Sequence, residues 1–120
     1  MSDRYSIQKT PFVVPTTDGK LIEEHFGLAS IKSNISLAHM IAPPYWTEPF
    51  QCPEFDEYTY IIKGKKQINV ADELIVLKAG ESIKIHAGTR VQYSNPFSED
   101  CEYIAICQPA FTFEKSHRES

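Results

Sequence analysis

The chain has 120 residues, which suits one domain with a single core and leaves no room for a second. Its 42% apolar and 23% charged residues are ordinary for a globular protein, and a net charge of −4 without a basic cluster argues against a nucleic-acid partner. No run approaches the ~18 apolar residues of a membrane span, and residues 1–9 lack the apolar stretch of a signal peptide. The expectation is therefore a cytoplasmic protein with no membrane partner.

Helical periodicity is nearly absent. Short apolar runs separated by turn residues predict the strands of a sandwich or barrel. Phe12 to Val14 is the first run, closed by Pro15, and Thr16-Thr17-Asp18-Gly19 is a turn. Leu21 to Phe26 reads as a short strand ended by Gly27. Asn34 to Ala42 alternates, with Ile35, Leu37, His39 and Ile41 on one face and Ser36, Ala38, Met40 and Ala42 on the other. His39 on that apolar face reads as a hydrogen-bonded core residue. Pro49 and Pro53 disturb the next strand, which is predicted to be an edge or a bulged one.

Glu57 to Lys63 is strongly β-prone and is broken by Gly64. Gln67 to Val70 and Leu74 to Leu77 flank Ala71-Asp72-Glu73 as a hairpin. Ser82 to Ile85, Arg90 to Ser94 and Tyr103 to Cys107 complete the predicted strands. From Glu114 onward the tail is polar and is expected to be loose or lightly packed. The cysteines, Cys52, Cys101 and Cys107, form no CxxC pair and read as free thiols.

Two stretches carry motif spacings. Glu57-x6-Gly64 has the second half of G-x5-H-x-H-x(3,4)-E-x6-G. Gly80-x5-His86-x-Gly88-x2-Val91-x3-Asn95 keeps the glycines and the asparagine of G-x5-P-x-G-x2-H-x3-N. Over roughly residues 35 to 107 the chain resembles the cupins. The resemblance implies an all-β fold, the cupin double-stranded β-helix or jelly-roll barrel, as one domain over 1–120. The barrel core is 34–107, with N-terminal strands in 1–33 and a C-terminal tail over 108–120 packing around it. The chain also resembles a group of small single-domain cupins that carry a PEFDEY segment, here Pro53-Glu54-Phe55-Asp56-Glu57-Tyr58. Their PAF and His-Arg-Glu endings match Pro109-Ala110-Phe111 and His117-Arg118-Glu119.

Cupins that hold a metal supply three histidines and the motif glutamate. Here the first two histidine positions fall on Phe50 and Cys52 if four residues precede Glu57, or on Gln51 and Pro53 if three do. The four-residue register is preferred, because it puts Pro53 where many cupins carry a proline. The third histidine is Val91. No metal and no other cofactor is expected.

Anchored on those positions, alternation sends Glu57, Thr59, Ile61, Val91 and Tyr93 into the barrel. Trp46, Glu48, Phe50 and Cys52 share the inward phase of the preferred register, and Gln51 replaces them in the other. Arg90 falls on the opposite face, near enough to a turn to curl over the rim. Glu57, Tyr93 and Cys52 are thus the candidate catalytic groups. Trp46, Glu48, Phe50, Gln51, Thr59, Ile61, Arg90 and Val91 are the candidate ligand contacts. Glu57 in such surroundings should titrate above the ~4.3 of a free glutamate. Tyr58, Tyr60 and Ile62 make an outward apolar strip that suits a homodimer.

Three functions compete. One is a metal-free module that binds a small organic ligand in the barrel. The second is a metal-independent acid–base enzyme, an isomerase, epimerase or dehydratase of a carbohydrate-like substrate, with Glu57 as base. The third is a metalloenzyme, an oxygenase whose ligands are rebuilt from His39, Glu48 or Gln51.

Overall fold

The structure, a computed structural model, describes residues 4–120. Among these residues the strands are β1 (Phe12–Val13), β2 (Leu21–Phe26), β3 (Ser36–Ala42), β4 (Trp46–Thr47), β5 (Asp56–Lys63), β6 (Lys65–Val70), β7 (Glu73–Lys78), β8 (Ser82–Ile85), β9 (Val91–Asn95) and β10 (Cys101–Gln108). The one helix among them, α1 (Phe113–Ser116), is a single turn. The strands form two antiparallel sheets, one ordered β1-β2-β3-β10-β5-β8 and the other β4-β9-β6-β7. The expected barrel of two packed sheets is therefore present, and the strand bounds differ from expectation by two residues or fewer.

The alternation of each strand decides which side chains fill the space between the sheets. On β10 Cys101, Tyr103, Ala105 and Cys107 are buried, and on β6 Lys66, Ile68 and Val70 are. Ile61, Ile68, Val70, Ile85, Val91 and Tyr103 belong to one apolar cluster between the sheets. The β6–β7 hairpin turns on Ala71 and Asp72, both at positive φ (51° and 60°). A two-residue turn with that handedness matches the right-handed twist of the flanking strands.

Two expectations are corrected. The tail is not loose. Thr112 caps α1 by accepting from the backbone N–H of Lys115 at 3.0 Å, and Ser116 is fully buried. Arg118 then pairs with Gln51 as an isolated antiparallel bridge, and the Glu119 N–H donates to the Phe50 carbonyl at 2.8 Å. Nor is His39 a core residue. Its Nδ1 lies 2.8 Å from Glu23 Oε1 and its Nε2 2.6 Å from Glu102 Oε2, on the outer face of the six-stranded sheet.

Burial works against the charged imidazole of His39, but the two carboxylates outweigh it and raise its pKa. A histidine whose folded pKa is raised adds stability that is complete below its unfolded value of ~6.5 and is lost as pH rises through the folded value. His39→Gln should therefore flatten that part of the pH–stability curve, by less than about 1 kcal/mol because solvent screens the pair. Urea melts between pH 6 and 9 check it. An unchanged slope would show that His39 titrates as a free imidazole.

Candidate functional site

The barrel interior holds a cavity of about 90 Å³. Two sides of different chemistry enclose it. Ile22, Ala38, Met40 and Ala105, from β2, β3 and β10, make an apolar wall on the six-stranded sheet. The polar side combines Lys66 and Tyr93 from the four-stranded sheet with Glu57, Glu48, Gln51, Lys20 and Arg118.

Backbone chemistry explains how Gln51 arrives there. Past β4 the chain continues along β9: Glu48 N–H reaches the Tyr93 carbonyl at 3.4 Å, and Gln51 and Val91 exchange bonds of 2.9 and 2.8 Å. Three steps on one strand thus oppose two on the other, which is a bulge. Pro49 has no N–H to give the ladder, and the extra residue falls at Pro49-Phe50. The bulge reverses the phase beyond it, so the three-residue register holds. Gln51 and Pro53 are buried, and the inward orientation expected of Phe50 and Cys52 is corrected: Cys52 is exposed and Phe50 lies partly open to solvent.

The remaining candidates separate cleanly. Glu57, Tyr93, Glu48 and Gln51 meet at the cavity. Val91 and Ile61 are fully buried beside it in the apolar cluster, and Thr59 is buried off its lining. Trp46 is a core anchor whose indole N–H donates to Asp18 Oδ2 at 2.8 Å. Arg90 does not curl over the rim. It stacks 3.8 Å above the Phe50 ring on the outside and makes a two-pronged salt bridge with Glu119, at 2.6 and 2.9 Å.

Lys20, Lys66, Arg118 and Cys107 were not among the candidates. Lys66 was legible, because it shares its phase with Ile68 and Val70, and Cys107 shares its phase with Tyr103 and Ala105. Lys20 and Arg118 gave no local signal, since both reach the cavity from outside the motif region.

The electrostatics are uneven. Glu48 is claimed by Arg118 at 3.1 Å and by Lys20 at 3.9 Å. Burial raises the pKa of Glu57, and Glu48 adds to it. Lys66, Lys20 and a hydrogen bond with Cys107 pull it back without cancelling the rise. Burial also works against the charge of Lys20, but Tyr103, Glu48 and Glu57 outweigh it and its pKa is raised. Tyr93 and Cys107 are pushed well up, first by burial and then by Glu57, so both keep their protons near neutral pH. Three buried polar atoms of the lining have no partner: Gln51 Oε1, Tyr93 OH and Arg118 Nε.

A family model described as "Cupin domain" matches residues 39–107, more than half of the chain. This chain is a cupin. It is similar to a solved RmlC-like cupin from Shewanella frigidimarina, with 15% identity, coverage of 91% of this chain and 93% of that one, and a TM-score of 0.73. It is also similar to the DMSP lyase DddQ from Ruegeria pomeroyi (11% identity, 82% and 56% coverage, TM-score 0.70). A third likeness is to the Clostridium difficile EutQ protein (23% identity, 78% and 70% coverage, TM-score 0.60). At these identities the likeness is one of fold. A Myxococcus xanthus protein named Endoribonuclease YbeY is 40% identical over 109 residues, which is 90% of this chain and 37% of that protein. The chain thus spans little more than a third of that relative.

The donor set of this cupin does not fit the transition metal that many of its fold hold. With Gln51, Pro53 and Val91 at the three histidine positions, no imidazole faces Glu57. Among the described residues no three His, Cys, Asp or Glu side chains form a group that could bind an ion. Two ammonium groups and a guanidinium line the cavity instead, alongside the carboxylates of Glu24, Glu48 and Glu57.

Proposed function

We propose that this cupin binds a small organic ligand in the barrel cavity. The observation that carries the reading is that three residues of the cavity lining hold buried polar atoms without a partner: Gln51 Oε1, Tyr93 OH and Arg118 Nε. Burying such groups unpaired costs roughly 1–3 kcal/mol each, a cost that a fitting ligand removes. At ~30 Å³ per liquid water the cavity of about 90 Å³ has room for about three waters, or a molecule of roughly three to six non-hydrogen atoms. The ribonuclease name belongs to a relative of which this chain spans 37%, and nothing in the cavity lining points to that activity. Thermal shift with a set of short acids, amides, alcohols and ketones tests the proposal. One or more should raise the melting temperature of wild type, and Ala105→Leu, which fills the cavity, should remove the effect. If the filled variant responds as wild type does, the ligand sits elsewhere.

A second reading keeps the same cavity and adds proton transfer. Glu57, with its raised pKa, shares the cavity with Tyr93, a neutral hydroxyl donor, in an isomerase, epimerase or dehydratase of a carbohydrate-like substrate. The high pKa of Tyr93 makes it a poor acid, which favours binding over turnover. Cys52, exposed and outside the cavity, has no part in either reading.

Tyr58, Tyr60 and Ile62 are exposed on the outer face of β5, where Ile104 and Ile106 of β10 adjoin them. A second copy seated there would form a two-fold dimer. Light scattering should give twice 13.7 kDa, and Tyr60→Lys should return the monomer mass. A 13.7 kDa particle at high concentration would rule the dimer out. No helix among the described residues is long and apolar enough to cross a membrane. The free thiols of Cys52, Cys101 and Cys107 suit a reducing compartment, the cytoplasm.

A further inference from the structure

We propose that the ligand is a small carboxylate, whose charge is taken by Lys66 and whose short carbon chain lies against Ile22, Ala38 and Met40. This rests on the cavity being the binding site and names the class of molecule it takes. Lys66 is 2% exposed and projects from β6 into the cavity. Its Nζ lies 3.5 Å from the centre of the Tyr103 ring and 4.3 Å from that of Tyr93. Two aromatic faces hold the ammonium in place, but neither accepts its charge as a carboxylate would. None of the salt bridges among the described residues includes it: Glu48 is taken by Arg118 and Lys20, Glu24 by the N–H of Ala29 and the hydroxyl of Ser30, and Glu57 faces it across the cavity without closing to a salt bridge. A buried ammonium outside any salt bridge is costly, and an anion bound in the cavity would satisfy it.

The charge count agrees. Lys20, Lys66 and Arg118 face Glu24, Glu48 and Glu57 across the lining. These formal charges cancel, and a proton on Glu57, toward which burial pushes it, leaves one positive charge in excess. One monoanion neutralises it, and the protonated Glu57 can donate to that anion. The groups facing Glu57 are Lys66 from β6, Lys20 before β2, Glu48 after β4, Tyr93 from β9 and Cys107 from β10. Ile22, Ala38, Met40 and Ala105 on the six-stranded sheet suit a short alkyl chain.

Calorimetry with propionate and its neutral isostere propionamide tests the charge. At pH 6 propionate should bind wild type at least about tenfold tighter than propionamide. In Lys66→Met, which keeps the length of the stem and loses the charge, that preference should fall to about threefold or less, with the amide proton–nitrogen spectrum of a folded barrel. Wild type alone supplies a second test. Between pH 5 and 8, calorimetry in buffers of different ionisation heat should show protons taken up with propionate where Glu57 titrates and none with propionamide. Equal or tighter binding of the amide, undiminished propionate binding by Lys66→Met, or no proton uptake would each overturn the carboxylate assignment while leaving the cavity as a site. Failure of both probes to bind would overturn the assignment, and with no response from any other fragment the cavity reading would fall with it.

Discussion

Asn95→Ala should lower the free energy of unfolding by on the order of 4 kcal/mol. The Asn95 amide is fully buried and bonds four backbone groups from two segments. The two hydrogens of its Nδ2 are shared among the carbonyls of Ala42 (3.2 Å), Pro43 (3.0 Å) and Glu99 (2.8 Å), and its Oδ1 accepts from the Phe97 N–H at 3.2 Å. The side chain ties the exit of β3 to the β9–β10 loop, where no ladder can pair those groups. Alanine would leave the buried Ala42 carbonyl, and the half-buried groups beside it, without their side-chain partner. Urea unfolding at pH 7 measures it, and a loss below about 1 kcal/mol would mean that the loop re-pairs on its own.

Glu57→Gln should leave the fold intact and make the protein more stable than wild type at pH 8, with the advantage shrinking as pH falls. The folded pKa of Glu57 is raised above the ordinary glutamate value of 4.5. The native state therefore binds the proton more tightly than the unfolded chain does. Its contribution is complete below ~4.5 and is lost as pH rises through the folded value, by about 1.4 kcal/mol for each tenfold drop in proton concentration across that window. Glutamine keeps the shape and removes the ionisation, so the slope there should vanish. His39→Gln removes the higher window, and the two variants separate the contributions. A Glu57→Gln protein substantially less stable at every pH would make Glu57 an ion-pair partner of Lys66 and Lys20, and not a proton-holding group of the site.

The fold was legible because its signals are local. Gly64, Gly80, Gly88 and Asn95 keep motif spacing, and period-two alternation placed Tyr93 and Glu57 on the inward face without any knowledge of neighbours. The site was legible only in part, for physical reasons. The orientation of Phe50 and Cys52 depended on counting residues across Pro49, and one bulged residue reverses every side chain beyond it. Lys66 carried a readable phase, but a lysine between the sheets runs against the usual rule for charged residues. Lys20 and Arg118 come from segments far from the motifs in sequence, joined to Glu48 only by the folded chain.

The most direct measurement of the central claim, that the cavity is a ligand site, uses the methionines. There are two, Met1 and Met40, and Met40 lines the apolar wall. Carbon-13 methyl labelling gives two signals, of which Met40 reports the cavity. Titration with propionate and the other short fragments should shift the Met40 methyl resonance saturably for at least one of them, with Met1 unmoved, and Ala105→Leu should abolish the response. A Met40 signal that no fragment moves would contradict the claim and make the cavity part of the core.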